Sequence, residues 1–486
     1  MNPNSKNLLL VLCTLIPTIL CGQGHKIDVT IAGLDADEAY LAYYMGDKQY
    51  IKDTVEVKAS SFTFKGDEPL EAGIYLVVFP PDNQYFEMIV DQDQKFALST
   101  NLDDLVQNMK IKGSQDNDIF YGDMLFLAEK RKEAESLQAQ IKVAEGEAKK
   151  DLQIQLSAID GQVKSHRANI MEKHPDMLYS KVLKALKEPE IPESPKDASG
   201  AEIDSLFAFK YYRSHYFDYI DMSDDRLLRT PIMYNKVNSY MERLTYRHPD
   251  SINKSIDIII EQTRGNDEVF QFWVVHFLNK YANSKQMGMD AVYVHMVEQY
   301  YMKGDCFWAD EETVGKMTER ALAISPTLVG RIAPNFSVQD ANGKFVSLHD
   351  VEADYTLLYF WDYDCGHCKK ITPALAEAYK RYQAYNVKIF AVSINGDVTE
   401  WKEKLATYGL DQEGVLNVQD HRRISRFDQM YDIRSTPRLF VLDKSKNILA
   451  KQISVSSMEQ VLSYELGLEV PEAEEETETK EGDDKE

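Results

Sequence analysis

The sequence predicts a multidomain chain with an N-terminal antiparallel β-sandwich, a middle α-helical domain and a C-terminal α/β domain. Three observations predict it. Up to about residue 110, short runs of alternating apolar residues are separated by turn residues. From Asp116 the apolar spacing lengthens to that of a helix. From Ile332 strand-like and helix-like runs alternate. A chain of 486 residues suits this division, at roughly 150 residues per domain.

A leader precedes the sandwich. Lys6 is followed by the apolar run Leu8 to Leu20 and then by Cys21-Gly22-Gln23-Gly24. A short positive segment and an apolar stretch too brief for a stable membrane span read as a signal peptide over residues 1–22. Cleavage near Gly22 or Gly24 would release a soluble protein. The alternative is lipid anchoring through Cys21, which the large Leu20 just before it disfavours.

The sandwich is expected over residues 25–112. Ile27, Val29 and Ile31 share one face, and Phe62 and Phe64 repeat the pattern. The runs Ile74 to Phe79, Tyr85 to Val90 and Phe96 to Ser99 come after them, separated by turn residues. The helical domain is expected over 115–326. Leu137, Ile141, Leu152, Leu156, Ile159, Val163 and Ile170 lie among Lys, Glu and Gln, with Glu145-Gly146 between them. This reads as a long charged helical hairpin ending at His174-Pro175. The Pro-rich stretch Glu188 to Pro195 reads as a linker or exposed loop. Helices are expected at Phe270 to Tyr281 and Ala291 to Met302.

The C-terminal domain is expected over 330–468. Leu357 to Phe360 reads as a buried strand, with a helix from Cys365 through about Tyr385 after it. A strand at Val387 to Ile394 and helices at about Thr399 to Tyr408 and Arg422 to Tyr431 come next. The strand Leu439 to Leu442 leads through a turn to Ile448-Leu449-Ala450, and a last helix covers about Met458 to Leu466. Residues 470–486 are nearly all Glu, Asp, Thr and Lys, and read as a disordered acidic tail.

A formal net charge of -24 excludes nucleic acid and anionic membrane as electrostatic partners. Once the leader is removed, the cysteines that certainly remain are Cys306, Cys365 and Cys368. A bridge between residues three apart closes almost no loop, so chain entropy gives Cys365–Cys368 little structural purpose. Zinc would need a second ligand pair, and a c-type haem needs His where Lys369 stands, so no metal or cofactor is expected. Redox chemistry fits better. Cys365 at a helix N-terminus would be held as thiolate by free N–H groups and the macrodipole, helped by His367, Lys369 and Lys370. Cys368, one turn inside, would attack second. Gly366 and His367 form the insert between the two cysteines and are expected to tune the site.

The second element is Ser435-Thr436-Pro437, about 70 residues downstream. It reads as a cis-Pro held opposite Cys365, with the Thr436 backbone pairing with an incoming strand; an ordinary trans-Pro opening a strand is the alternative. Cys306, beside Phe307 and Trp308, reads as a small buried hydrophobe. The set Phe209, Tyr212, Tyr216 and Tyr219 reads as core packing, and His276 and His295 as packed histidines, not ligands.

With these motifs the segment from about Ile332 to Leu466 resembles the thioredoxin superfamily, especially its TlpA/ResA-type envelope oxidoreductases, so the C-terminal domain is expected to have the α/β thioredoxin fold. Ala333-Pro334-Asn335-Phe336 with Asn342-Gly343-Lys344 looks like their opening. The whole chain resembles multidomain thioredoxin-like proteins of Bacteroidetes envelopes, in which a segment similar to Met287-Gly288-Met289-Asp290-Ala291-Val292-Tyr293 lies upstream. The resemblance implies a periplasmic or cell-envelope exchanger that acts on oxidised envelope proteins and is kept reduced by a membrane thiol donor of the DsbD type. It says nothing of oligomeric state.

The sequence also departs from that pattern. Asp364 stands where Trp usually precedes the first Cys, and the nearby Trp is Trp361. Tyr359 stands where a buried acid is usual, and Ile371 where the TlpA/ResA type carries another. Trp361 and Asp364 are therefore expected to tune the site, Asp364 by opposing thiolate formation. The Gly-His insert looks like that of disulfide isomerases, which differ from thioredoxins by about 90 mV, or roughly 4 kcal/mol. Reduction is the expected direction; oxidase or isomerase activity, or a scaffold with an accessory redox domain, are the alternatives. A peroxiredoxin is disfavoured because Trp361-Asp362-Tyr363-Asp364 lacks the Pro and Thr that precede a peroxidatic Cys.

Overall fold

The computed structural model describes residues 24–394, 397–420 and 424–470. The segment expected as a leader, with Cys21, residues 395–396 and 421–423, and the segment expected as an acidic tail from Pro471 lie outside the described residues. The chain divides into two compact units, residues 24–244 with 262–269, and 245–261 with 270–470.

In the first unit, β1 (Lys26–Ala32), β4 (Ser61–Lys65), β7 (Lys95–Asn101) and β8 (Lys110–Lys112) form one sheet, ordered β4-β1-β7-β8. A second sheet has the order β3-β2-β5-β6, from β2 (Glu38–Met45), β3 (Lys48–Glu56), β5 (Gly73–Phe79) and β6 (Gln84–Val90). Ile27, Val29 and Ile31 are buried and alternate with outward residues, as pleating requires. Pairing is antiparallel throughout except that β1 runs parallel to β7. The chain leaves β1 to build the other sheet before returning as β7, and such a long crossover permits a parallel neighbour. The β2–β3 hairpin had no sequence signal, because β3 is exposed on both faces and carries no apolar alternation.

The expected helical hairpin is formed by Gln115–Val143 and Gly146–Lys173. Ser114 caps the first helix by accepting from the Asn117 N–H. The Asn117 amide then continues β6: it accepts from the Ile89 N–H at 2.8 Å and donates to the Ile89 carbonyl at 2.7 Å. At the hairpin base the buried Asp123 carboxylate accepts from Arg167 at 3.1 Å and from the Tyr179 hydroxyl at 2.5 Å. Of the aromatic set, Tyr216 is buried, Tyr212 and Tyr219 are half-buried, and Phe209 is exposed.

In the second unit, a seven-stranded sheet has the order β10-β9-β13-β12-β11-β14-β15. Its strands are β9 (Ser337–Asp340), β10 (Phe345–Ser347), β11 (Tyr355–Trp361), β12 (Val387–Ser393), β13 (Val415–Gln419), β14 (Arg438–Asp443) and β15 (Ile448–Lys451). β11 pairs parallel to β12 and antiparallel to β14. Flanked by strands and covered on both faces, it is apolar or aromatic at nearly every position. Leu357, Tyr359 and Trp361 enter one buried cluster with Leu375, Met458 and Leu462, while Leu358 and Phe360 enter another with Phe336, Phe427 and Tyr431.

Two expected helices are shorter than their sequence limits. The helix after Cys365 spans Gly366–Tyr379, with a separate turn at Gln383–Tyr385 and a left-handed Asn386 (φ 52°) that turns the chain into β12. The described helix before β14 is a single turn, Phe427–Met430. His295 is held by a carboxylate: its Nε2 lies 2.8 Å from Asp257, which also accepts from Tyr300 at 2.7 Å. His276 packs among Phe272, Trp273 and Phe277. Among the described residues no helix is long and apolar enough to cross a membrane, and no group of three or more His, Cys, Asp or Glu could hold a metal ion.

Candidate active site

The site forms where β11 ends. After Trp361 the chain makes a short turn, with the Cys365 N–H donating to the Asp362 carbonyl at 3.2 Å and the Asp364 N–H to the Asp362 carboxylate at 2.9 Å. Cys365 is the N-cap of the helix Gly366–Tyr379, with extended backbone (φ −69°, ψ 124°) and its carbonyl accepting from the Lys369 N–H. The first helical N–H groups thus have no intrahelical partner and face the thiol.

The two thiols differ in environment. Cys365 is half-buried, and Cys368 is fully buried in the cluster that contains Trp361 and Tyr359. Burial alone would raise Cys365, but hydrogen bonds from the Cys368 N–H, the Thr436 side chain, the Cys368 thiol and the His367 N–H outweigh it and hold the thiol below its ordinary value. Burial pushes Cys368 up to about 11, and the N–H of Asp362, 3.5 Å from its sulfur, only partly offsets this. The half-buried sulfur is therefore the more readily ionised of the two, and the one beneath it is held as a protonated thiol. Cys306, also buried, is pushed up to about 12 by burial and then by Asp305.

β14 supplies the opposite wall. The Thr436–Pro437 peptide bond is cis. The Cys365 thiol donates to the Thr436 carbonyl at 3.3 Å.

The remaining residues sort into those that face the thiol and those that do not. His367 is exposed, and its contribution to Cys365 is its backbone N–H, where the sequence had pointed to its ring charge. Gly366 opens the helix, and a Cβ there would meet nothing within 4 Å. Asp364 is exposed beside Cys365. Trp361 lies fully buried against Tyr408, ring centroids 5.6 Å apart, so it is part of the floor and not of the rim. Sequence reasoning missed the buried pair Tyr359–Thr372, whose hydroxyls lie 2.8 Å apart. The signal was present: Thr372 is one turn beyond Cys368 on the helix, and Tyr359 is an inward position of β11.

A central sheet ending in a helix capped by the first of two close cysteines, with a cis-Pro opposite, defines a thioredoxin-like domain. Residues 329–451 match the model of the AhpC/TSA family. Residues 25–120 and 147–321 match two domains of unknown function, DUF4369 and DUF5106. The thiol-disulfide oxidoreductase ResA of Bacillus subtilis (strain 168) is 29% identical over 120 residues, 25% of this chain and 64% of that protein. ResA of Bacillus anthracis is 27% identical over 136 residues, 28% of this chain and 76% of that protein. Among solved structures, a domain of a possible thiol-disulfide isomerase from Cytophaga hutchinsonii ATCC 33406 is 37% identical, covering 29% of this chain and 97% of that one, with a TM-score of 0.27.

Proposed function

We propose that this protein is an exported thiol–disulfide oxidoreductase that exchanges its Cys365–Cys368 dithiol with disulfides of protein substrates. The observation that carries the reading is the asymmetry of the two sulfurs. Cys365 is accessible and held below the ordinary thiol range, and Cys368 is fully buried and pushed up to about 11. Cys365 thiolate attacks a substrate disulfide and forms a mixed disulfide; Cys368 then attacks Cys365 and releases the substrate thiol. The Thr436 carbonyl, already within hydrogen-bond reach of Cys365, presents the substrate backbone beside the reacting sulfur. Both steps run on the two sulfurs alone.

The direction is reduction of oxidised envelope proteins, with electrons returned by a membrane thiol donor of the DsbD type. The resemblance to envelope oxidoreductases and the apolar run Leu8 to Leu20 support this placement. Trapping tests the exchange. The Cys368→Ala chain, expressed in cells, should accumulate mixed disulfides through Cys365 that a reductant releases; an empty trap would sink the reading. Equilibration with glutathione tests direction. A potential near about −270 mV supports a reductase, and one near about −180 to −120 mV makes it an isomerase or oxidase.

A further inference from the structure

The second exchange step asks a fully buried thiol to ionise, and besides the Asp362 N–H and the Thr436 side chain that favour its charged form, two hydroxyls lie in the same part of the core. Tyr359 on β11 and Thr372 on the Cys365 helix are both fully buried, with their oxygens 2.8 Å apart and either able to donate. Thr372 comes one helical turn after Cys368, hence lies on the same helix face. Tyr359 and Cys368 share one buried cluster with Leu375 and Leu439. The bond between the hydroxyls uses one of their two protons, and among the described residues neither hydroxyl has another hydrogen-bond partner. The spare O–H is confined to an apolar cluster that also holds the Cys368 sulfur.

We propose that Tyr359 and Thr372 are positioning residues for the resolving step, their reversible hydroxyl pair turning a dipole toward Cys368 as that sulfur ionises. This rests on the dithiol-exchange reading. The pair is not the base. Burial, opposed by the Thr372 bond and reinforced by charge on Cys368 and Cys365, holds the Tyr359 phenol well above its ordinary range, so it stays protonated. The step balances without an outside oxidant. Cys368 gives up its proton, its electron pair forms the bond to Cys365, and the Cys365–substrate bond breaks. The substrate sulfur leaves with that bonding pair and accepts a proton.

Stopped-flow reaction of the full reduced chain with an aromatic disulfide that releases a coloured thiolate separates the steps: the first phase reports attack by Cys365, the second resolution by Cys368. Tyr359→Phe and Thr372→Val should slow the second phase about 3- to 10-fold at neutral pH and move its pH midpoint upward, leaving the first phase unchanged. Thr372→Ser should behave as wild type. A second phase whose pH midpoint is unmoved in both variants overturns the proposal. So does an equal slowing of both phases, which is the mark of disturbed packing. If the wild-type chain itself shows no second phase, the exchange reading fails instead.

Discussion

The Cys365 sulfur lies 3.3 Å from the carbonyl oxygen of Thr436, a residue 71 positions further along the chain. The contact is a consequence of sheet order. β14 runs antiparallel beside β11 with Phe360 opposite Arg438, so the turn entering β14 faces the turn leaving β11. A thiol donating to a carbonyl favours the protonated form, whereas the N–H groups of Cys368 and His367 favour the thiolate. Together with the side chains of Thr436 and Cys368, these N–H groups outweigh burial and hold the thiol below its ordinary value.

Differential alkylation measures this directly. Iodoacetamide labelling of the reduced chain, read by mass spectrometry, should show Cys365 reacting with a pH midpoint below about 8.5. Cys368, pushed up to about 11, should stay unlabelled through neutral pH, at a rate at least about a hundredfold lower. Similar rates for the two thiols would remove the attacking and resolving roles.

Trp361 separates floor from rim. Its fully buried ring packs on Tyr408, and among the described residues its Nε1 has no hydrogen-bond partner. Trp361→Phe should therefore lower stability by about 1–3 kcal/mol through lost packing. The alkylation midpoint of Cys365 should stay where it is. A shifted midpoint with unchanged thermal stability would return Trp361 to the tuning role that its place in the sequence suggests.

Asn117 ties the helical hairpin to the second sheet by acting as one more residue of strand. Asn117→Ala leaves both the N–H and the carbonyl of Ile89 without that partner. The expected cost is about 2–3 kcal/mol, read as an earlier urea midpoint with unchanged thiol reactivity at Cys365. Asn117→Asp keeps the acceptor but loses the donor to the Ile89 carbonyl, and should also be destabilised.

Local chemistry made part of this fold legible in the sequence. The alternation in β1, the unbroken apolar run of β11 and the Glu145-Gly146 break in the hairpin each announce themselves over a few residues. β3 did not, because its residues are exposed on both faces; β9 and β10 are too short for a period to show. At the site, the two cysteines and Thr436-Pro437 were readable from spacing. The backbone part of what lowers Cys365, the N–H groups of Cys368 and His367, was not, since backbone groups carry no residue code. The Tyr359–Thr372 pair left only its two positions in the sequence, one turn beyond Cys368 and inward on β11, because the hydroxyls meet only when the helix lies on the sheet.

Asp116 gives the first unit a pH dependence of definite sign. Burial pushes its carboxyl up to about 6; the Tyr179 N–H and Arg226 oppose this, and Asp91 and Asp93 reinforce it. Its folded value lies above the unfolded one, so the folded state binds the proton more tightly. The resulting stabilisation is fully present below about pH 4 and is lost as the pH rises through about 6. Above that, an ionised carboxylate is held in a buried position beside Asp91 and the Tyr179 backbone, where Asn would carry no charge and could still accept from the same N–H. Asp116→Asn should thus stabilise the unit by about 2 kcal/mol at pH 7.5 in urea unfolding, with the gain shrinking to nothing near pH 4. A difference between the two proteins that stays constant over this range would mean that the carboxyl titrates as it does in the unfolded chain.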